Sequence, residues 1–143
     1  MAVKAVTLTK QLRYQSEDDP AKGTNDATTF FLNPLSSWQA AQVSDLLASF
    51  TADAAGGGDA QSNMKVHQAA ILAVRFGLTG WENFLDEEDR QLDFKNERQN
   101  IGGRAITAVT PQLLDRIPMG EIFGMYKLLM DASAPSEDAA KNS

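Results

Sequence analysis

A run of four acidic residues, Asp86 to Asp89, is the densest charge in the chain and the first place to look for chemistry. A calcium loop of the EF-hand type needs oxygen ligands at alternating positions and a glycine at its sharp turn. This run has no glycine, and Arg90 follows where a further ligand would help. Catalytic carboxylates need surroundings that push their pKa values apart, whereas adjacent acids at a loop tip share water. The run is therefore predicted to be a solvated turn, with no metal ligand assigned.

Nucleophilic and phosphate-binding chemistry is poorly supported elsewhere. A Ser-His-Asp triad would need His67, the only histidine, which lies on the apolar stripe of a predicted helix in a chain without a GxSxG motif. One histidine and no cysteine leave too few ligands for zinc. The glycines at 56–58 and 102–103 match neither GxxxxGK[ST] nor GxGxxG. We therefore expect a protein that is not an enzyme, with no catalytic residue and no cofactor.

Composition and charge set the class of protein. A length of 143 residues with 43% apolar residues favours one globular domain. The absence of cysteine fits a reducing compartment, no apolar run approaches the roughly 20 residues of a membrane helix, and the first residues lack a secretory signal. The net charge is -6 and the basic residues are scattered, which disfavours binding to a phosphate backbone. We expect a soluble cytoplasmic protein whose partners are neither nucleic acid nor membrane.

The elements that would position any site begin with a small β element. Residues 3–14 alternate loosely and predict an opening strand, residues 16–26 predict a loop, and residues 28–32 predict a second strand that Pro34 stops. An antiparallel pair is the simplest arrangement. Because two strands are marginal alone, helices must cover them.

Two helices follow. Ser36 and Gln39 form a capping-box pattern at the start of a helix over 36–53, and residues 54–62 predict a glycine-rich internal loop. The strongest helix runs from Ser62 to Gly77, with apolar residues around much of its circumference and a glycine suited to the C-terminal cap. This helix is predicted to be central and buried.

The second half predicts shorter elements. Residues 79–82 form another capping-box pattern and predict a helical turn over 81–84. Residues 91–94 predict a short strand or an extended return, and residues 100–103 predict a turn. Thr110-Pro111 predicts a helix start, and a last helix is expected over 119–131. The predicted fold is α+β and mainly α-helical: a small N-terminal antiparallel β element packed on a bundle of about four helices. The predicted boundaries are a single domain over 1–132 and a flexible tail over 133–143.

Aromatic residues leave a binding role open. For Trp81 and Phe84, and for Trp38 near the start of its helix, both core burial and a partner surface are compatible with the sequence. The candidate partner-binding residues are Trp38, Trp81, Phe84, Leu85 and Phe94.

Residues 75–84, RFGLTGWENF, with the acidic turn and a return ending at Phe94, resemble small proteins encoded in the tail modules of tailed phages and grouped with tail assembly chaperones. The segment 28–36, TTFFLNPLS, is similar to the extended-segment, Pro-Leu-Ser and helix opening of such proteins. Residues 100–104, the helix over 112–117 and the final helix are also similar in layout. The resemblance spans residues 26–132.

The resemblance implies a non-enzymatic assembly chaperone in the host cytoplasm. Such a protein binds and solubilises the tape-measure protein and helps recruit tail-tube subunits; a second copy of the chain is a further candidate partner. Helix-in-groove recognition is the implied mechanism. Two alternatives remain open: a structural tail or neck component retained in the virion, and a phage-encoded inhibitor of a host protein.

Overall fold

The computed structural model of the chain describes residues 2–5, 7–54 and 59–133, in which five strands form two antiparallel sheets. The first sheet has the order β1 (Leu12–Gln15), β2 (Thr29–Leu32), β3 (Leu78–Glu82). β2 is rich in β-branched and aromatic residues, which suits a central strand. The predicted antiparallel pairing of the first two strands is confirmed. The opening strand, however, covers 12–15, not 3–14.

The second sheet is a hairpin of β4 (Asn96–Ile101) and β5 (Arg104–Val109). Its two-residue loop consists of Gly102 and Gly103, with φ of 59° and 84°. Two positive φ values in succession give the turn whose twist matches the strands it joins, and glycine adopts them without a steric cost. The turn predicted at 100–103 is confirmed, but the two strands beside it were not predicted.

Four helices complete the described fold: α1 (Ser37–Ala54), α2 (Asp59–Gly77), α3 (Pro111–Leu114) and α4 (Met119–Ser133). The capping box before α1 is confirmed, since the Ser36 N–H donates to Gln39 Oε1 at 2.9 Å and the Gln39 N–H donates to Ser36 Oγ at 3.1 Å. The helix starts at Thr110-Pro111 and at Met119 are confirmed as well.

Ser36→Ala is expected to lower the free energy of unfolding by about 0.5–2 kcal/mol, because it removes the acceptor for the Gln39 amide at the start of α1. Urea unfolding measures the change. Ser37→Ala is the matched control, since Ser37 is exposed and is the first residue of α1. Equal stability of the two variants would show that the box contributes nothing measurable.

One apolar cluster joins both sheets to α1, α2 and α4, with α2 between the other two helices. Three alanines on α2 are fully buried, which lets neighbouring elements approach its backbone closely. The prediction of a central buried helix is confirmed. The cluster draws residues from both sides of the glycine-rich segment, among them Phe30, Val43, Ala69, Val74, Val109 and Leu129.

The predicted mainly helical fold is wrong. About 38% of the chain is helical and 23% is strand, and α3 is a single turn, so no bundle of four helices exists in the described part. The helical turn predicted over 81–84 is replaced by β3, because β2 offers residues 78–82 a backbone ladder. The loop predicted over 54–62 is shorter on both sides, since α1 reaches Ala54 and α2 begins at Asp59. Residues 134–143 of the predicted tail lie outside the described residues.

Candidate partner-binding surface

The aromatic residues of the 75–84 motif belong to a packed cluster. Trp81 meets Phe30, Phe84 and Phe94 edge to face, with ring centroids 6.1, 5.0 and 5.0 Å apart, and Phe30 meets Phe84 at 5.2 Å. Edge-to-face contacts of this kind add to the energy of burial. The Trp81 Nε1–H donates to the Leu92 carbonyl at 2.7 Å, and only 7% of Trp81 is exposed. Trp81 is therefore a core residue.

The acidic run forms a tight turn next to this cluster, as predicted. Asp86 closes it: its Oδ1 accepts the N–H groups of Glu88 and Arg90 at 2.8 and 3.0 Å, and its own N–H donates to the Arg90 carbonyl at 2.8 Å. These backbone hydrogen bonds from Arg90 and Glu88 lower the pKa of Asp86. Asp89 has a φ of 61°, a value that aspartate tolerates better than most residues. Three of the four acids are exposed, so the turn faces solvent.

An ion pair ties the acidic turn to the junction of α3 and α4. Arg116 Nη2 donates to both carboxylate oxygens of Glu87, at 3.1 and 3.0 Å. Both side chains are well exposed, so the pair adds little to stability, but it fixes which segments are neighbours. It brings the segment carrying Leu85 to the segment carrying Met119. We call the two residues, with the ion pair between their segments, the Leu85–Met119 surface.

The Leu85–Met119 surface holds two of the four large apolar residues that are exposed where the structure describes side chains. Leu85 is 47% exposed and Met119 37%; the other two are Val3 and Leu8, near the N-terminus. Partly buried apolar residues on the same segments, Phe84 and Leu114 among them, connect this surface to the core cluster. Exposed apolar residues on segments joined by an ion pair can form part of a surface that binds another protein.

The five residues that the sequence predicts to bind a partner therefore differ in exposure. Leu85 is exposed, Trp81 is buried, and Phe84, Phe94 and Trp38 are partly buried. The Trp38 ring packs on Phe76 at 5.6 Å and lies under the Arg104 guanidinium, whose Cζ is 4.2 Å from the ring centroid. A cation stacked in this way covers the face that a partner would use.

Sequence reasoning missed Met119. It is the first residue of α4, so its side chain has no preceding helical turn to pack on. An apolar residue at such a position, directly after Pro118, is the signal by which it would have been found.

A groove of about 600 Å³ lies elsewhere among the described residues. Tyr14 lies at its edge and packs closely on the helix backbone at Gly124. Burial of the phenol, followed by the nearby Glu121 carboxylate, raises the pKa of Tyr14 to about 12. The lining is mainly polar, without a cluster suited to catalysis: Arg13, Tyr14, Gln15, Glu17, Lys22, Gly23, Thr24, Asn25 and Leu128.

The remaining chemistry considered from the sequence finds no assembled site in the residues that the structure describes. His67 packs edge to face on Phe123, with centroids 4.9 Å apart. Among the side chains that the structure describes, no group of three His, Asp or Glu residues lies close enough to hold a metal ion. Within 2–5, 7–54 and 59–133, no helix has the length and apolar character to cross a bilayer.

Comparison with known proteins gives no relative from which to transfer a function. A scan of protein-family models and searches of curated proteins and of solved structures found no match to this chain. The Leu85–Met119 surface is therefore the candidate site on the geometry of the chain alone.

Proposed function

We propose that this chain is a phage tail assembly chaperone that acts in the host cytoplasm, binds and solubilises the tape-measure protein, and helps recruit tail-tube subunits. The observation that carries the proposal is the exposure of Leu85 and Met119 on neighbouring segments beside an acidic turn. The resemblance of residues 75–84 to this class of protein gives the identity of the partner.

The mechanism proposed is capture of an apolar helix face. An amphipathic helix is read through apolar residues that recur on one side, and each needs an exposed apolar contact on the receptor. Leu85 and Met119 provide two such contacts. Their exposed parts contribute about 1–2 kcal/mol each when covered, so several copies along a long partner are needed for firm binding.

The charge of the chain supports a solubilising role. The net charge of -6, with Glu87, Glu88 and Asp89 exposed beside the apolar contacts, keeps a coated partner from associating with itself. The ion pair with Arg116 limits the positions that the Glu87 carboxylate can adopt.

The double variant Leu85→Glu, Met119→Glu is expected to return the tape-measure protein to the insoluble fraction on co-expression. Two buried charges would replace two apolar contacts, and loss of about 2–4 kcal/mol corresponds to a roughly 30- to 1000-fold weaker complex. The soluble fraction of the tape-measure protein, measured after centrifugation, reports the result.

Leu8→Glu is the matched control, because Leu8 is 45% exposed, close to the 47% of Leu85, but lies outside the surface. It is expected to keep the tape-measure protein soluble. If the double variant folds normally, by circular dichroism and urea unfolding, and still solubilises the partner, the assignment of this surface is wrong.

Mass spectrometry of purified particles beside the infected lysate tests the role itself. A transient chaperone is abundant in the lysate and absent from particles. A stoichiometric amount in particles would identify a structural component instead, and capture of a host protein in place of the tape-measure protein would identify an inhibitor.

A further inference from the structure

The N-terminal arm, residues 2–11, has a strand-like sequence, but its described residues, 2–5 and 7–11, belong to no strand. Its sequence alternates and predicts a strand, yet β1 begins only at Leu12. Every described residue of the arm is exposed, including Val3 at 98% and Leu8 at 45%. Exposed apolar residues on a segment with a strand-like sequence favour pairing with another sheet.

The arm is also the basic end of an acidic chain. Residues 1–16 contain Lys4, Lys10 and Arg13 and no acid, a charge of +3. Since the whole chain carries -6, the remaining residues carry -9. Pairing of two arms with each other would oppose like charges, whereas pairing of the arm with the body of a second copy would join opposite ones.

Among the terminal strands of the described sheets, β3 has the charge that best suits the arm. β1 carries Arg13, and the β4–β5 hairpin carries Arg98 and Arg104 against Glu97. β3 is the other terminal strand of its sheet, and it carries Glu82 without a basic residue. β5 packs near β3, but the two belong to separate sheets.

The residues that follow β3 add to its negative charge. Residues 82–93 contain six acids and one arginine, a net charge of -5. The ion pairs of this segment use Asp86, Glu87 and Glu88, while Glu82 and Asp93 are exposed and have no ion-pair partner in the part of the chain that is described.

We propose that the arm of one copy adds as a strand along β3 of a second copy, with the lysine that lies past the Glu82 end of β3, Lys4 or Lys10, facing the acidic segment 82–93. Backbone hydrogen bonds give such an added strand its affinity, and alternating side chains give it register. The arm, about 33 Å when extended, exceeds the length of five-residue β3, so its two lysines reach past the strand ends. This inference does not rest on the proposed function.

The contact is heterologous, because the arm and β3 are different surfaces of the same chain. Repetition of such a contact gives a ring if it closes and a filament if it does not. Each copy then contributes one arm and receives another. The basic arm neutralises acids at the contact, and salt is expected to weaken the association.

A mixing experiment tests the contact. The first variant lacks residues 2–11, and the second carries Glu82→Lys and Asp93→Lys. Both variants are expected to fold, because Glu82, Asp93 and the described residues of the arm are exposed. Sedimentation at low ionic strength should give the full chain at least twice the 15.5 kDa of one copy. Each variant alone should be monomeric, and an equimolar mixture should form a one-to-one dimer.

The mixture separates head-to-tail pairing from the alternatives. The armless variant still offers β3, and the lysine variant still offers an arm, so one contact is restored. A symmetric arm-to-arm contact would not be restored, because one partner lacks the arm. A monomeric full chain at low salt, a self-associating armless variant or a mixture that stays monomeric would each overturn the proposal.

Discussion

Trp81→Ala is expected to lower the free energy of unfolding by about 3–5 kcal/mol, the usual cost of removing a large aromatic side chain from a core. Trp81 is 7% exposed and is the shared neighbour of Phe30, Phe84 and Phe94. The substitution also leaves the Leu92 carbonyl without its indole donor, which adds about 0.5–1.5 kcal/mol. Because small domains are stable by only about 5–15 kcal/mol, a large fraction of the protein is then expected to unfold on mild heating.

Urea unfolding followed by the fluorescence of Trp38, the tryptophan that remains in this variant, measures this loss. Trp81→Phe keeps ring contacts and loses the hydrogen bond, so it should fall between the wild type and the alanine variant. Leu85→Ala is the exposed control and should change stability by less than about 0.5 kcal/mol. A Trp81→Ala variant as stable as Leu85→Ala would show that the indole is a surface group.

The aromatic cluster and the acidic run are adjacent in sequence because the chain passes from the core to the solvent-exposed surface between them. Phe84 turns inward to Phe30 and Trp81, and the next residue, Leu85, turns outward. Asp86 then reverses the chain by accepting two backbone N–H groups. The aromatic residues fix this segment on the core, and the exposed side chains that follow them are available for contacts with other molecules.

Two equivalent capping-box patterns lead to different structures because their tertiary surroundings differ. Ser36 with Gln39 and Thr79 with Glu82 both match a capping box, but only the first begins a helix. The first is followed by a long amphipathic stretch that repays nucleation many times over. The second precedes only a few residues before the acidic turn, and the ladder offered by β2 satisfies its backbone groups better.

The hairpin β4–β5 was missed although its turn was found. Adjacent glycines between two extended runs are a strong hairpin signal, and the β-branched residues Ile106, Thr107 and Val109 of β5 agree with it. β4 hides the signal, because Asn96 to Asn100 has no apolar residue and reads as a loop. Its pairing partner supplies the order that its own sequence lacks.

The candidate surface could be predicted only in part. The sequence identifies the large apolar and aromatic residues, but the exposure of each one depends on which neighbours cover it. Arg104 covers Trp38 from a hairpin that the sequence did not reveal, and Phe94 is held against Trp81. Leu85 was predicted and is exposed, whereas the contribution of Met119 depends on an ion pair 29 residues apart in sequence.

Gly77→Ala is expected to lower the free energy of unfolding by about 1–3 kcal/mol, through overpacking and not through backbone strain. The sequence suggested a cap glycine, but the glycines with positive φ in the described chain are Gly23, Gly102 and Gly103. At Gly77 the constraint is space: a Cβ would lie 2.7 Å from a methyl carbon of the fully buried Leu129 and 3.2 Å from the Asn33 carbonyl oxygen. The Asn33 N–H donates to the Gly77 carbonyl at 2.9 Å, which holds the two backbones together.

Gly120→Ala is the matched control, because a Cβ there meets nothing within 4 Å and the residue lies in α4. It should be neutral or stabilising by about 0.5–1 kcal/mol. If Leu129 is the obstacle, then shortening it should remove part of the penalty, so Gly77→Ala should cost less in a Leu129→Ala background than in the wild type. Additive losses in that cycle would place the conflict at the Asn33 carbonyl, and a Gly77→Ala variant as stable as Gly120→Ala would show that the helix end has room to shift.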